Sequence, residues 1–463
     1  MDLIYQLVRN VLETRYEDLP LLAIEAAKRS LLDTLGCLIL GSSTSEAEKI
    51  VCFALDYGGK KESTIMIYGG KVPAFHAALA NCTMARAMDF DDVFEGGEGK
   101  GVGGHIGATF VPVTFAFAEY ADRPVTGKDF ILANVLGSDI SCRLRMSATK
   151  YHGWQGETYA PFGVVATGGR LLGLDEELIT NAMGIAYTQC SGSAQGYEEG
   201  ASTVPVQQGF GARAGVLAVI LAQRGFTGSK NVLQGTYGFY PVYDRNEYDA
   251  DMVIHELGER FESAYVSIKP YPSGKGTHIP IDATMKLMKE NQISPADIKE
   301  IIVHTSAFVY NACGKGDNKY HPQTVRDAHF SVPYAVANAA IRGGLELDHL
   351  TEEAIKNKDI LDLTQRVKVV IDPNLDKIAT IPPNKVELIT KSGTTYSAYL
   401  EYVKGHPKKP MTMEDCIEKF KKCLLYSERS FSEENTNRLI QMIVELENLK
   451  DISPIINAMI ELK

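Results

Sequence analysis

The chain has 463 residues, 45% of them hydrophobic, with eight cysteines and a formal net charge of −11. That length and apolar content are enough for more than one hydrophobic core. The acidic balance argues against nucleic acid or an anionic membrane as the main partner. No stretch approaches the roughly twenty uninterrupted apolar residues of a membrane span, and scattered cysteines without a Cys-x-x-Cys spacing point to reduced thiols in a cytoplasmic setting.

In chain order, MDLIYQLVRNVLETRYEDLP has no basic region followed by an apolar run and a cleavage site, so it reads as an amphipathic helix and not as a signal peptide. EAAKRSLLDTLGCLIL, PAFHAALANCTMARAM, TFVPVTFAFAEYA, GKDFILANVLGSDISCRL, GVVATGGRLLGL and ARAGVLAVILAQRG carry apolar residues at helical spacing, and Pro73 suits a helix N1 position. Several are rich in Ala and Gly on nearly every side, as helices buried between helices are. The texture changes near Tyr265. Pro and Gly punctuate SIKPYPSGKGTHIPID, IKEIIVHTSAFVY and QRVKVVID read as strands, and NKVELITKSGTTYSAYLEYV reads as a hairpin around Ser392-Gly393. AHFSVPYAVANAAIRGG reads as one helix, and from Thr412, a plausible cap, the chain is helical again. The expected fold is mainly α: a large helical domain of residues 1–267 plus 406–463, with a smaller α+β lid domain, 268–405, inserted.

The stretch AMDFDDVFEGGEGKGVGGHIGATFVP places Asp89, Asp91 and Asp92 ahead of a glycine run and ends that run at His105. Read as DDxxE or DxDD, the acids match a magnesium-diphosphate or cyclase pattern, but no second metal motif follows downstream. The glycine run does not follow an apolar strand and lacks a Gly-Lys-Ser/Thr ending, so it is read as a mobile cover and not as a nucleotide loop. A histidine where such a loop meets an apolar helix can serve as a base or acid near neutral pH, although most lone histidines are surface or satisfied core residues. Lys269, Ser273, Lys275 and His278 share one Pro/Gly-shaped loop, which suits an anion site or an ordinary basic linker equally.

LLDTLGCLILGS, AALANCTMARAMDFDD, GGHIGATFVP, GRLLGLDEELITNAMGIA, GVLAVILAQRGFTGSKNVL, SIKPYPSGKGTHIPIDA and HFSVPYAVANAA, in that order over about residues 25 to 345, resemble the MmgE/PrpD family of 2-methylcitrate dehydratase and cis-aconitate decarboxylase. The resemblance implies a homodimer and a metal-independent, cofactor-free site in the cleft between the two domains. It also implies proton movement next to a carboxylate of a small substrate, in a lyase or, alternatively, an isomerase or epimerase. A non-catalytic metabolite-binding relative is a further alternative. By the same resemblance His105 is the general base or acid, Asp89 orients it or a helix end, and Tyr334 is the partner acid. Lys269, Lys275 and His278 then receive a carboxylate, with Ser273 retained in their loop.

The departures from the family pattern have a direction. Val93 stands where Thr is frequent, Arg86 where His is, Gln155 for a histidine, Val204 for a lysine, Gln207 for a histidine and Phe210 for a basic residue, while Arg213 is retained. A cation bound to a carboxylate in a dry pocket contributes about 1.5–3 kcal/mol. Losing several implies a substrate less charged than a tricarboxylate, bound by what Arg86, Gln155, Gln207 and Arg213 can offer.

Overall fold

The computed structural model describes residues 1–96, 103–375 and 381–461. Two large hydrophobic cores divide them, with a small third cluster of Cys37, Leu40, Phe90, Leu347 and Cys423. The larger runs from Leu3 to Ile268 and resumes at Met411 to Met459, and the smaller spans Ile281 to Ala398. The chain is mainly α, with a smaller α/β part toward the C-terminus. The C-terminal Met413–Tyr426 helix packs back on Leu21–Gly41, and Thr412 caps it by accepting from the Asp415 N–H.

The Ala- and Gly-rich texture of the large core follows from how closely its helices approach. Thr203–Gln223 crosses Ala74–Arg86 so tightly that a Cβ on Gly209 would lie 2.4 Å from the Leu79 carbonyl oxygen. By length and composition Thr203–Gln223 is apolar enough to cross a membrane, yet here it packs between the Ala74–Arg86, Ala160–Leu171 and Glu176–Tyr187 helices. Pro73 stands at the N-cap and Ala74 opens the helix, one position from the expected N1.

The smaller core sits under a four-stranded sheet in the order Val367–Ile371, Ile298–Thr305, Asn384–Thr390, Thr395–Leu400. The first pair is parallel and the others antiparallel, with Val303 opposite both Val369 and Val386. Gly393 turns the last hairpin at φ +91°. Helices His278–Glu290 and Val332–Arg342 pack beside the sheet. The single helix expected over AHFSVPYAVANAAIRGG is two, because Ser331 adopts an extended conformation and its hydroxyl caps a new helix through the Tyr334 N–H.

Candidate active site

The Ala74–Arg86 helix delivers the acid string at its C-terminal end, and the three acids have three separate tasks. Asp89 lies at φ +50°, a left-handed conformation uncommon for a residue other than glycine. Its Oδ1 is 2.5 Å from Arg86 Nη1 and 3.0 Å from Lys269 Nζ, and its carbonyl accepts a second bond from Lys269 at 2.9 Å. Burial pushes its carboxyl up, but Arg86 and Lys269 outweigh burial and hold it far below the ordinary range. Asp91 Oδ2 lies 2.8 Å from His105 Nδ1, with Oδ1 3.7 Å from Arg86 Nη1. Asp92 accepts from Ser30 Oγ at 2.6 Å and from the Gly107 N–H at 2.7 Å, anchoring the start of the Gly107–Tyr120 helix. The acid that holds the histidine is therefore Asp91. Asp89 ties the helix end to Lys269.

His105 sits at that second helix start with its side chain 11% exposed. A carboxylate on Nδ1 selects the Nδ1–H tautomer and leaves the Nε2 lone pair free, the arrangement a general base needs. Burial and then the Arg86 charge lower its pKa, and Asp91 opposes them only in part, so the imidazole is neutral at neutral pH. Gln208 Nε2 fixes the His105 backbone through its carbonyl oxygen at 3.0 Å.

The other expected site residues divide. Lys269 is buried and fully committed to Asp89. Lys275 is buried 3.3 Å from Glu95, whose carboxylate also accepts from Ser267. Ser273 bonds Thr277 at 2.7 Å. His278 is buried with Nε2 3.1 Å from the Ser273 carbonyl oxygen, and burial followed by repulsion from Lys275 and Lys269 drives its pKa well below the ordinary value. It is a neutral ring and not the carboxylate-binding cation expected. Tyr334 is fully buried in the smaller core, where its hydroxyl donates to the His349 carbonyl at 2.6 Å, so it is not placed as a partner acid. Arg213 stands 6.0 Å over the Phe75 ring and beside His76, away from the acid string. Gln155 donates to Tyr151 Oη at 2.9 Å, Gln207 donates to the Ser193 carbonyl at 3.3 Å, and Val204 is buried. Val93 pairs its backbone with Ser267 in both directions at 2.8 Å, joining the acid string to the chain entering the α/β part. Of the expected glycine cover, 96–104, residues 97–102 lie outside the described residues, and Gly104 at its end pairs its backbone with Phe94.

The structure adds groups that the sequence pattern did not mark. The Tyr197 hydroxyl accepts from Arg86 Nη2 at 3.3 Å, and its ring meets Phe330 of the smaller core edge-on at 5.3 Å. Arg326 pairs with Glu46 at 3.3 Å and lies close enough to Arg86 and Asp89 to feel both charges. His329 is buried beside Arg326, and burial followed by that repulsion lowers its pKa to about 3. Arg145 is fully buried and donates to the Gly103 carbonyl at 3.3 Å. A Cβ on Gly104 or Gly156 would collide with its guanidinium, so both glycines are needed beside it. Arg145 is a basic residue in the last turn of the Gly127–Met146 helix, a position where cations are ordinary, and only the glycines flanking it in space reveal the burial.

The ligand atoms of Asp89, Asp91 and His105 lie within 4.8 Å of one another, a spacing that could gather a metal ion. Arg86 and Lys269 already supply positive charge to this cluster, and Arg86 Nη1 reaches both carboxylates.

The family model for the MmgE/PrpD N-terminal domain matches residues 5–250, and that for the MmgE/PrpD C-terminal domain matches residues 271–448. The chain belongs to the MmgE/PrpD family. Among its relatives, the cis-aconitate decarboxylase of Aspergillus terreus (strain NIH 2624 / FGSC A1156) is 26% identical, over 95% of this chain and 92% of that protein. The human cis-aconitate decarboxylase is 26% identical over 93% of this chain and 89% of its own length. The 2-methylcitrate dehydratase of Cupriavidus necator is 24% identical over 86% and 84%. The two matched segments between them reach both large hydrophobic cores.

Proposed function

We propose that this MmgE/PrpD protein is a lyase that removes a proton next to a carboxylate of a small metabolite and expels water or carbon dioxide. The observation that carries the reading is the buried Asp91–His105 pair, a neutral imidazole with its Nε2 lone pair unspent. Asp91 is a positioning residue that fixes the tautomer and stabilises the imidazolium formed when the proton is taken. Arg86 and Arg145 are the buried cations of the same wall and oppose the negative charge that develops on the substrate carboxylate as the proton leaves. Arg86, Asp89 and Lys269 hold one another in place, and the proposed step is carried by this chain's own side chains.

The substrate carries less charge than a tricarboxylate. Arg86, Lys269, Lys275 and Arg326 each already face a carboxylate, namely Asp89 with Asp91, Asp89, Glu95 and Glu46 respectively. Arg145, without an ion pair among the described residues, is the cation left to a substrate carboxylate, and a site otherwise balanced gains little from a third substrate charge and must strip water from it.

Proton NMR of the protein with small mono-, di- and tricarboxylates in deuterated water tests the proposal. Deuterium should enter next to a carboxylate, with elimination of water or carbon dioxide, and His105→Ala should slow both by about 10²–10⁴-fold. Exchange with inversion and no elimination would make the enzyme an epimerase. Undiminished turnover by His105→Ala would remove the base assignment.

A further inference from the structure

A cavity borders the acid string where the chain crosses between the two large cores. The chain leaves the larger core at Ile268 and re-enters it at Met411. The two crossings touch. The Ile268 N–H donates to the Gly405 carbonyl at 3.1 Å, and a Cβ on Gly405, at φ +92°, would collide with the Ile268 carbonyl oxygen. Beside them, a cavity of about 80 Å³ is bounded by Ile268, Gly405 and Met411 from the crossings, by Ala26 and Arg29 from the Leu21–Gly41 helix, and by Asp92 from the acid string. His105, Arg86 and Arg145 do not line it. Its two charged side chains are unequal. Arg29 is half-buried and makes no hydrogen bond or ion pair among the described residues. Asp92 is fully buried and both its oxygens are spent, on Ser30 Oγ and on the Gly107 N–H. Burial and then the Asp33 charge raise the Asp92 carboxyl to about 7, so it carries only part of a negative charge at neutral pH. The unanswered charge in this cavity is positive.

From this geometry we propose that the cavity is a second ligand site, separate from the His105 cluster, for a short-chain aliphatic monocarboxylate. Arg29 takes the carboxylate in a charge-assisted pair, and Ala26, Ile268 and Met411 cover the alkyl chain. The volume is that of about two or three waters in the liquid, so a few carbons fit and a long chain does not. A dicarboxylate would bring a second charge that no cation here meets, and would have to shed its water. The site is coupled to the reactive histidine. Asp92 holds the Gly107 N–H two residues beyond His105, and its neighbour Val93 pairs with Ser267 at the crossing. Binding here is independent of the reaction proposed at His105.

NMR of the full chain, labelled at the methionine methyls and the histidine ring nitrogens, tests it with butyrate, 1-butanol and succinate as probes. Butyrate should shift the Met411 methyl saturably, with a dissociation constant of about 10 mM or below. 1-Butanol and succinate should bind about ten-fold or more weakly. Arg29→Ala should cost butyrate about ten-fold in affinity, and Ala26→Phe, which fills the cavity, should abolish the shift. Arg145→Met should leave butyrate affinity within about two-fold, because that cation belongs to the other site and shares no partner with Arg29. The His105 ring nitrogens should move with the same midpoint as the Met411 methyl. No saturable Met411 shift, 1-butanol binding as tightly as butyrate, or an Arg29→Ala variant that binds like the parent each overturns the site. So does loss of binding in Arg145→Met with Arg29→Ala unaffected, which would place butyrate at the His105 cluster. His105 nitrogens that stay in place while the Met411 methyl moves would overturn the coupling.

Discussion

The helical and α/β parts, the two walls of the proposed site, carry opposite charge across their contacts. The helical side contributes Glu46, Asp89 and Glu95, and the α/β side answers with Arg326, Lys269 and Lys275. The helical wall also holds the reactive pair, with Asp91 and His105 at facing helix ends of the larger core. On the α/β wall, His278 and His329 are both neutral rings, and the cations are occupied in docking. On the proposed mechanism the chemistry lies on the side with the larger core, where helix ends fix side-chain geometry, while the other side balances its charge. Arg86 is the exception that sharpens the contrast. It is a cation of the helical wall that neutralises two acids of its own side.

That contrast is most easily broken at Arg86. Arg86→Met would leave Asp91 without its cation and Asp89 with only Lys269. Removing one partner of a buried pair costs about 3–5 kcal/mol, and urea unfolding should show a loss of that size. Lys269→Met leaves Asp89 its Arg86 contact, so its loss should be smaller. Equal losses would mean that the two walls share the burden evenly.

Asp91→Asn tests the reactive pair without removing a charge partner from Asp89. Turnover should fall by about 10²-fold or more, since the amide can no longer stabilise the imidazolium. Asp91 also raises the His105 pKa against burial and Arg86. Without it that pKa falls further, so the acidic limb of the rate profile should move to lower pH. A merely structural Asp91 would leave the limb in place.

Much of this was legible in the residues, and the reasons for the remainder are physical. Period and punctuation marked the buried helices, the strands around Val303 and the hairpin at Gly393. They also placed His105 at a helix start, because an apolar segment begins immediately after it. Which acid meets His105 was not legible. Asp89 and Asp91 are two residues apart, and the left-handed turn at Asp89 decides which of them faces the imidazole. Tyr334 shows the opposite failure: its motif is clear, but capping by Ser331 sets a helix that turns it into the core. Tyr197, Arg326 and His329 arrive from separate segments and have no local signature.

His329 gives a pH test of the α/β wall. Burial and Arg326 lower its pKa from the ordinary 6.5 to about 3. Between those values the unfolded chain binds a proton that the folded chain refuses. The contribution of neutral His329 to stability is complete above pH 6.5 and is lost progressively as pH falls toward 3. His329→Gln should flatten the fall in melting temperature across that window without abolishing it, because His278 is shifted in the same direction. An unchanged slope would mean that His329 is not held neutral.

Tyr334→Phe should have the smallest effect and is the cleanest separation of the two walls. Its hydroxyl bonds the His349 carbonyl at 2.6 Å and lies 3.4 Å from that of Ala354, inside the smaller core. Losing that bond should cost about 1 kcal/mol of stability. If chemistry resides on the helical wall, turnover measured well below the melting temperature should stay within about two-fold of the parent. A rate loss of ten-fold or more would require the α/β wall to swing this helix toward the cleft during the reaction, and would return to Tyr334 the acid role that its position in this structure denies it.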